Sequence, residues 1–233
     1  MKIIKKYVRP FIAMALVCVI LLGGQAILEL MLPEYMSRIV NTGLQKGGIE
    51  NTYPEIIPSD VFEVFTEFMT EEDAVSFENS YIMLKEAVNK DKILEKYPSA
   101  DENALVIDEN ADKAQLENLA KIFAKSTYSI YSLLAENGVL TIDTEAVNQK
   151  IDMAALTQQM NDLKNIDEAK MQQVMAGADE AQETLVNSIT TVFIKGFYDE
   201  MGADLTKMQN GFIIKSGIAM LALSALNVAC TIG

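Results

Sequence analysis

Residues 11–32 read FIAMALVCVILLGGQAILELML, and this stretch decides the fold class of the chain. Among its 22 residues, the only strongly polar ones are Gln25 and Glu29. A helix needs about 20 predominantly apolar residues to cross the hydrocarbon core of a bilayer. A second run, FIIKSGIAMLALSALNVACTI at residues 212–232, has 21 residues with one charge, Lys215. We therefore predict two transmembrane helices.

The distribution of charge predicts how these helices are oriented. The segment ahead of the first run carries no acid and four cations, Lys2, Lys5, Lys6 and Arg9. Residues 45–210 hold 31 Asp and Glu against 13 Lys. Since cytoplasmic flanks of membrane helices are enriched in Lys and Arg, we predict a cytoplasmic N-terminus and an extracellular segment over residues 45–203 of a multi-pass plasma-membrane protein. Membrane lipid is then a partner, and the negative charge excludes nucleic acid.

The fold class predicted is an all-α membrane protein fragment, in which two transmembrane helices flank a mainly helical extracellular domain. Four parts follow in order: a cytoplasmic elbow helix over 1–9, transmembrane helix 1 with an outer extension over 10–44, the extracellular insert domain over 45–203, and transmembrane helix 2 over 204–233. The second span reaches the last residue, so we expect it to be truncated and the chain to be a fragment of a longer protein.

A cleaved signal peptide is the rival interpretation of the N-terminus. Basic residues, an apolar stretch and a small-x-small site at Gly24 and Ala26 are all present. The apolar run nevertheless continues through Leu32, beyond that site. We therefore favour a retained transmembrane helix.

The helical pattern continues past Pro33. Apolar residues recur at helical spacing through Tyr35, Met36, Ile39, Val40 and Leu44. Because a proline removes one backbone hydrogen bond, we predict a kink at Pro33. Pro10 is predicted to end the short basic helix and to open the next one.

Polar residues within the first span and its extension are candidates for a cavity-lining face. Gln25 and Glu29 lie one turn apart. Such residues are expensive in lipid, so Glu29, Glu34 and Arg38 must face water or protein. Two interpretations stay open for Gln25 and Glu29: a substrate-facing stripe and a contact between helices.

Apolar spacing within residues 45–203 is helical almost throughout. We predict helices at about 58–69, at 144–163 and at 174–201, the last ending before Gly202. Thr70 with Asp73 resembles a capping box at the start of another helix. That helix carries Ala74, Phe77, Tyr81, Leu84 and Val88 on one face. A further helix carries Leu116, Leu119, Ala120, Phe123, Ile130 and Leu134 and ends at Asn137 and Gly138. LVI (105–107) and VLTI (139–142) are candidates for a small two-stranded element.

The sequence predicts no catalytic, cofactor-binding or metal site, and therefore no enzyme. The P-loop pattern G-x-x-x-x-G-K-[ST] is missing. Paired acids such as Asp108 and Glu109 lie at predicted helix starts, where they complement the helix dipole. The sequence has no His, and DENAD (108–112) lacks the glycine and closing glutamate of a calcium loop.

Both ends of the chain resemble the transmembrane half of bacterial ABC exporters of the multidrug and lipid type. KKYVRPF (5–11) is similar to that family's elbow helix and closing proline, and LELMLPEYMSRIVNTGL (28–44) to its first transmembrane helix. MGADLTKMQNGFIIKSGIAMLALSALNVACTIG (201–233) resembles the approach to the second helix and its start. The chain departs from the family in its first outer loop, which is short in most members and is here the 166-residue segment 45–210.

This resemblance implies a permease fragment that contributes two helices to a translocation pathway. It also implies four more transmembrane helices, a nucleotide-binding domain that uses ATP and Mg in the longer parent, and a second half-transporter subunit, identical or different. The extracellular domain would gate substrate or dock a partner. Only a cavity-lining role is carried over from the family, to Gln25, Glu29, Tyr35, Met36 and Arg38.

Two other functions remain open at the level of the sequence. A two-span membrane receptor would use the helical insert as a sensor, although Pro33 interrupts what would be its signalling helix. A spacer or adhesion surface is the third. The transported substrate, the direction of transport and the ligand of the outer domain do not follow from the sequence.

Overall fold

The computed structural model describes residues 2–140, 142, 151–162 and 168–232. It divides into two compact units. The helical unit comprises Met1–Gly48 with Met208–Gly233, and the inserted unit comprises Ile49–Lys207.

Two long helices form the helical unit. Helix α1 spans Lys2–Arg38 and continues as a π-helix over Ile39–Gln45. The predicted continuation past Pro33 is therefore confirmed. At Pro10, where the sequence predicted a boundary, the structure has one uninterrupted helix, because a proline removes only one bond of the ladder. The last helix, α9, spans Leu205–Ile232.

Both helices are long and apolar enough to cross a membrane, over Met14–Gln45 and Leu205–Thr231. Their large apolar side chains are exposed rather than packed in a protein core: Leu30 is 77% exposed and Leu221 is 71% exposed. A core helix of a soluble protein would bury such residues. The exposed surfaces suit a lipid or protein environment.

Seven helices and a small sheet are described in the inserted unit. In chain order the helices are α2 (Ser59–Thr66), α3 (Glu71–Glu78), α4 (Lys90–Lys96), α5 (Lys113–Glu136), α6 (Met153–Asp162), α7 (Glu168–Glu180) and α8 (Glu183–Glu200). The strands are β1 (Ile56–Ile57), β2 (Tyr81–Met83) and β3 (Leu105–Ile107). They form an antiparallel sheet in the order β1-β3-β2, with Val106 opposite both Ile56 and Ile82.

Side-chain caps fix where two of the helices begin. At the start of α3, the backbone N–H of Asp73 donates to Oγ1 of Thr70 at 3.2 Å, as the sequence predicted. At the start of α5, Asp112 and Gln115 form a full capping box. Such caps satisfy N–H groups that have no partner within the helix. The predicted end of α5 is confirmed, since Asn137 caps it and Gly138 follows with φ +70°.

The structure corrects the helix predicted around Tyr81. Helix α3 ends at Glu78, and Tyr81 lies in strand β2, followed by a 3-10 turn over Leu84–Glu86. Hydrogen bonds to β3 replace the helical bonds that the local spacing suggested. Val88, expected on the apolar face, is 93% exposed.

The predicted pairing of residues 105–107 with residues 139–142 is also wrong. Strand β3 exists, but its two neighbours are β1 and β2, so both of its edges are occupied. Of residues 139–142, those that the structure describes are not in a strand. The sheet therefore has three strands rather than two.

The helix predicted at about 58–69 is confirmed as α2, and two further helix predictions differ at their boundaries. The helix expected over 174–201 is divided into α7 and α8 at Ala181 and Gln182. Gly202 follows α8 with φ +79°, as a helix end requires. Of the helix expected over 144–163, α6 forms the described part, after a non-helical start at 151–152. Residues 143–150 and 163 lie outside the described residues.

An aromatic cluster holds α2, α3, α5 and α8 together. The Phe65 ring stacks on Phe123 at a centroid distance of 5.5 Å and meets Phe197 edge-on at 5.6 Å. Phe77 and Phe193 complete the cluster, and all five rings are fully buried. Burying one such side chain stabilises a fold by about 1.5–3 kcal/mol, so this cluster is the centre of the core.

Candidate functional site

The predicted polar face of α1 falls into two groups. In the first, Nε2 of Gln25 donates a hydrogen bond to Oε1 of Glu29 at 2.9 Å. The two residues are one turn apart, so the helix itself brings them together. This bond satisfies part of the hydrogen-bonding capacity of both side chains in an otherwise apolar run.

The second group surrounds Arg38. Its Cζ atom lies 5.7 Å from the ring centroid of Tyr35 and 6.0 Å from that of Phe212 on α9. A guanidinium within about 6 Å of an aromatic ring gains a favourable cation–π interaction. Met36, the remaining predicted residue, is exposed.

These two groups are separate features of the helical unit. The nearest members of the two groups, Glu29 and Tyr35, are six positions apart, which is about 9 Å along a helix. The structure therefore brings Gln25 to Glu29 and Tyr35 to Arg38, but it does not join all the predicted residues into one site.

Close packing near the π-helix accompanies the Arg38 group. Nε2 of Gln209 donates to the carbonyl of Gly43 at 3.0 Å. A Cβ on Gly43 would lie 2.9 Å from Cγ1 of Ile213 and 3.4 Å from the Phe212 ring. The absence of a side chain at Gly43 is thus what allows α9 to approach the π-helix.

A second candidate site lies in the inserted unit, which contains a cavity of 310 Å³. Its apolar lining comes from α4 and from β3. Its polar lining includes two carboxylates and two lysines. The lining residues are Glu55, Asn89, Lys92, Ile93, Lys96, Tyr97, Val106, Ile107 and Glu109.

Glu55 is the centre of the polar contacts at this cavity. Its carboxylate forms an ion pair with Lys96 and accepts a hydrogen bond from the Tyr97 hydroxyl at 3.2 Å. Its backbone N–H donates to the hydroxyl of Tyr198 at 2.9 Å. Next to it, the hydroxyl of Tyr81 donates to the carbonyl of Pro54 at 2.9 Å.

Burial keeps the tyrosines around Glu55 in their neutral form. Desolvation raises the pKa of Tyr97 and of Tyr198 above the ordinary value, and the nearby carboxylate of Glu55 raises both further. The pKa of Tyr81 is raised well above its ordinary value, first by burial and then by its tyrosine neighbours. Their hydroxyls therefore stay protonated above the pH at which an ordinary tyrosine ionises.

Sequence reasoning missed the residues of this cavity. Glu55, Lys96 and Tyr198 are far apart along the chain, and no spacing pattern connects them. The available local signals were Pro54 and Pro98, which mark turns beside Glu55 and Tyr97. Turn signals alone do not distinguish a binding loop from a connecting loop.

No family model, curated protein or solved structure matches the chain. Among the residues that the structure describes, no group of three or more His, Cys, Asp or Glu side chains could hold a metal ion.

Proposed function

We propose that the chain contributes the first two transmembrane helices and an outer domain to an ATP-driven exporter of the ABC type. The main observation behind the proposal is the order of the helices and the folded unit along the chain. Two apolar helices of membrane length, α1 and α9, flank one compact folded unit, Ile49–Lys207. The resemblance of both chain ends to the exporter family supports it.

The polar groups of the helical unit suit a translocation pathway. Charged and amide side chains within a membrane-length helix usually face the interior of a helix bundle or a water-filled cavity. Gln25, Glu29 and Arg38 are such side chains. Gln25 bonds to Glu29, and Arg38 contacts the rings of Tyr35 and Phe212. In the proposed transporter they line the pathway together with helices of the remaining parent and of a second subunit.

The orientation proposed places the N-terminus in the cytoplasm and the inserted unit outside. The cations at Lys2, Lys5, Lys6 and Arg9 support it, as does the strongly acidic composition of the insert. ATP and Mg then act on the cytoplasmic part of the parent. The outer domain gates substrate or docks a partner.

Cysteine accessibility in intact cells tests this orientation. Residues 1–233 contain two cysteines, Cys18 and Cys230, so serines at both positions give these residues, expressed by themselves, a background without thiols. Val88→Cys, at a fully exposed position of the inserted unit, should react with a membrane-impermeant maleimide on intact cells. Lys2→Cys should react only after permeabilisation. The reverse pattern would exclude the proposed orientation.

The coding sequence downstream of Gly233 distinguishes the exporter from a two-span receptor. The exporter requires four further apolar spans and then a P-loop motif. A coiled-coil or kinase module directly after the second span would instead support the receptor.

A further inference from the structure

The ammonium group of Lys96 lies in an environment that selects cations. It is paired with the Glu55 carboxylate, and its Nζ atom is 5.2 Å from the ring centroid of Tyr97 and 6.0 Å from that of Tyr198. A carboxylate provides charge-assisted hydrogen bonds, and the aromatic rings provide cation–π attraction. We call Glu55, Tyr97 and Tyr198 the ammonium site.

The ammonium site opens onto the cavity of the inserted unit. Glu55, Lys96 and Tyr97 all line its 310 Å³, together with the apolar side chains of Ile93 and Val106. Small-molecule sites typically start at about 300 Å³ and combine an apolar wall with a few polar groups. The cavity therefore suits a small ligand with a hydrocarbon body and one cationic end.

A second polar group on the cavity wall requires a hydrogen-bond donor. Oδ1 of Asn89 is buried and has no hydrogen-bond partner among the residues that the structure describes. Buried polar atoms in native proteins are nearly always paired, and an ammonium carries three donors. This oxygen is a second hydrogen-bond acceptor at the cavity wall, besides the Glu55 carboxylate.

Lys96 can be displaced from the ammonium site. Its side chain is 39% exposed and that of Glu55 is 45% exposed. Ion pairs with this degree of exposure are weak, because water and salt screen both charges. Lys96 thus shows that the site accepts an ammonium group, and its weak ion pair leaves the site open to another ammonium.

We propose that this cavity binds a small free primary amine, whose ammonium replaces that of Lys96 between Glu55 and the rings of Tyr97 and Tyr198. The hydrocarbon part of the amine packs against Ile93 and Val106. This site belongs to the inserted unit alone, so it stands whether or not the two long helices transport a substrate.

Nuclear magnetic resonance of the full chain in detergent, with ¹³C in the tyrosine rings, tests the proposal directly. The probe is n-butylamine, and n-butanol is the control of equal shape without the charge. We expect saturable shifts of the Tyr97 and Tyr198 signals with the amine and none with the alcohol. Equal responses to both compounds, or no saturable response to the amine, would overturn the proposal.

Matched lysine variants separate displacement from general electrostatics. Lys96→Met should tighten n-butylamine binding about fivefold, because the competing internal cation is removed. Lys92→Met removes the same charge from the wall of the same cavity and should leave the affinity nearly unchanged. An equal increase of the affinity for n-butylamine in both variants would contradict a site at Glu55.

Two further measurements complete the test. Glu55→Gln, which keeps a hydrogen-bond acceptor for Tyr97, should weaken binding about fivefold while circular dichroism shows a native helix content. Unchanged affinity in this folded variant would exclude Glu55 as the anion. Nα-acetyl-lysine amide carries the lysine side chain as it occurs in a polypeptide, and tighter binding of this probe than of n-butylamine would assign the site to a lysine side chain of a partner protein instead of a small free amine.

Discussion

The backbone N–H of Glu55 donates a hydrogen bond to the hydroxyl of Tyr198 across 143 residues of sequence, at 2.9 Å. Glu55 directly precedes strand β1, and Tyr198 lies in the last turn of α8. One side-chain oxygen thus joins the first part of the inserted unit to its last helix. The same two residues belong to the proposed ammonium site.

Replacing this hydroxyl should measurably destabilise the inserted unit. Tyr198→Phe leaves the part-buried Glu55 N–H without its acceptor, and loss of such a hydrogen bond costs about 0.5–1.5 kcal/mol. Thermal unfolding of the full chain in detergent, followed by circular dichroism, should shift downward by several degrees. Tyr131→Phe on α5 serves as the control and should change the midpoint little. Equal shifts in the two variants would contradict a specific role for the Tyr198 hydroxyl.

Three buried tyrosines should resist ionisation at the pH at which an exposed tyrosine ionises. Burial raises the pKa of Tyr81, Tyr97 and Tyr198 above the ordinary value of 10.0. In an absorbance titration at 295 nm, these three of the eight tyrosines should ionise only when the protein unfolds. Full phenolate absorbance at pH 11 in a protein that remains folded would show that the three rings are accessible.

The same shifts predict how stability depends on pH. Because the folded state keeps phenolic protons that the unfolded state loses above pH 10, the stability that these groups contribute is fully present below pH 10 and falls as pH rises beyond it. Urea unfolding at pH 9 and at pH 11 should show this fall. It should be smaller in Tyr81→Phe, which removes one of the three groups.

Replacing either of two glycines in the inserted unit by alanine should change the free energy of unfolding, in opposite directions at the two positions. At Gly202, φ is +79° and a Cβ would lie 2.5 Å from Oγ of Ser99. Gly202→Ala should therefore lower the free energy of unfolding by about 1–3 kcal/mol. At Gly177, within α7, a Cβ meets nothing within 4 Å, so Gly177→Ala should raise it by up to about 1 kcal/mol. Urea unfolding measures both, and a gain at Gly202 would contradict the close contact with Ser99.

The close approach of α9 to the π-helix should be sensitive to the size of the side chain at position 43. A Cβ there would lie 2.9 Å from Cγ1 of Ile213, whereas a Cβ on Gly23 meets nothing within 4 Å. Gly43→Leu should destabilise the packing of α9 on the π-helix by about 1–3 kcal/mol and lower the melting temperature in detergent. Gly23→Leu adds the same bulk to the same chain and should change the melting temperature little. A similar loss in both variants would argue against packing at Gly43.

Strong local patterns predicted the helices well. The apolar run at 11–32 and the spacing of α5 led to helices that the structure confirms, because each depends on neighbours three or four residues away. The end of α5 followed from Asn137 and Gly138, whose conformational preferences are local too.

The errors arose where a distant partner decided the local structure. Tyr81 has helical spacing from Phe77, yet its backbone pairs with Ile107 in β3. The cavity was missed for the same reason, because Glu55, Lys96 and Tyr198 come together only in the folded chain. A single sequence carries no periodic signal for such contacts. The face predicted on α1 was local, and the structure accordingly pairs Gln25 with Glu29.

The bond between Glu55 and Tyr198 also bears on how this architecture could arise. A folded unit whose opening and closing segments are already neighbours can be transplanted into a host loop, or excised from it, in one genetic event. Its own core then travels with it, including the aromatic cluster around Phe65. Gain or loss of residues 49–207 would thus resemble the exchange of a module more than the gradual lengthening of a loop.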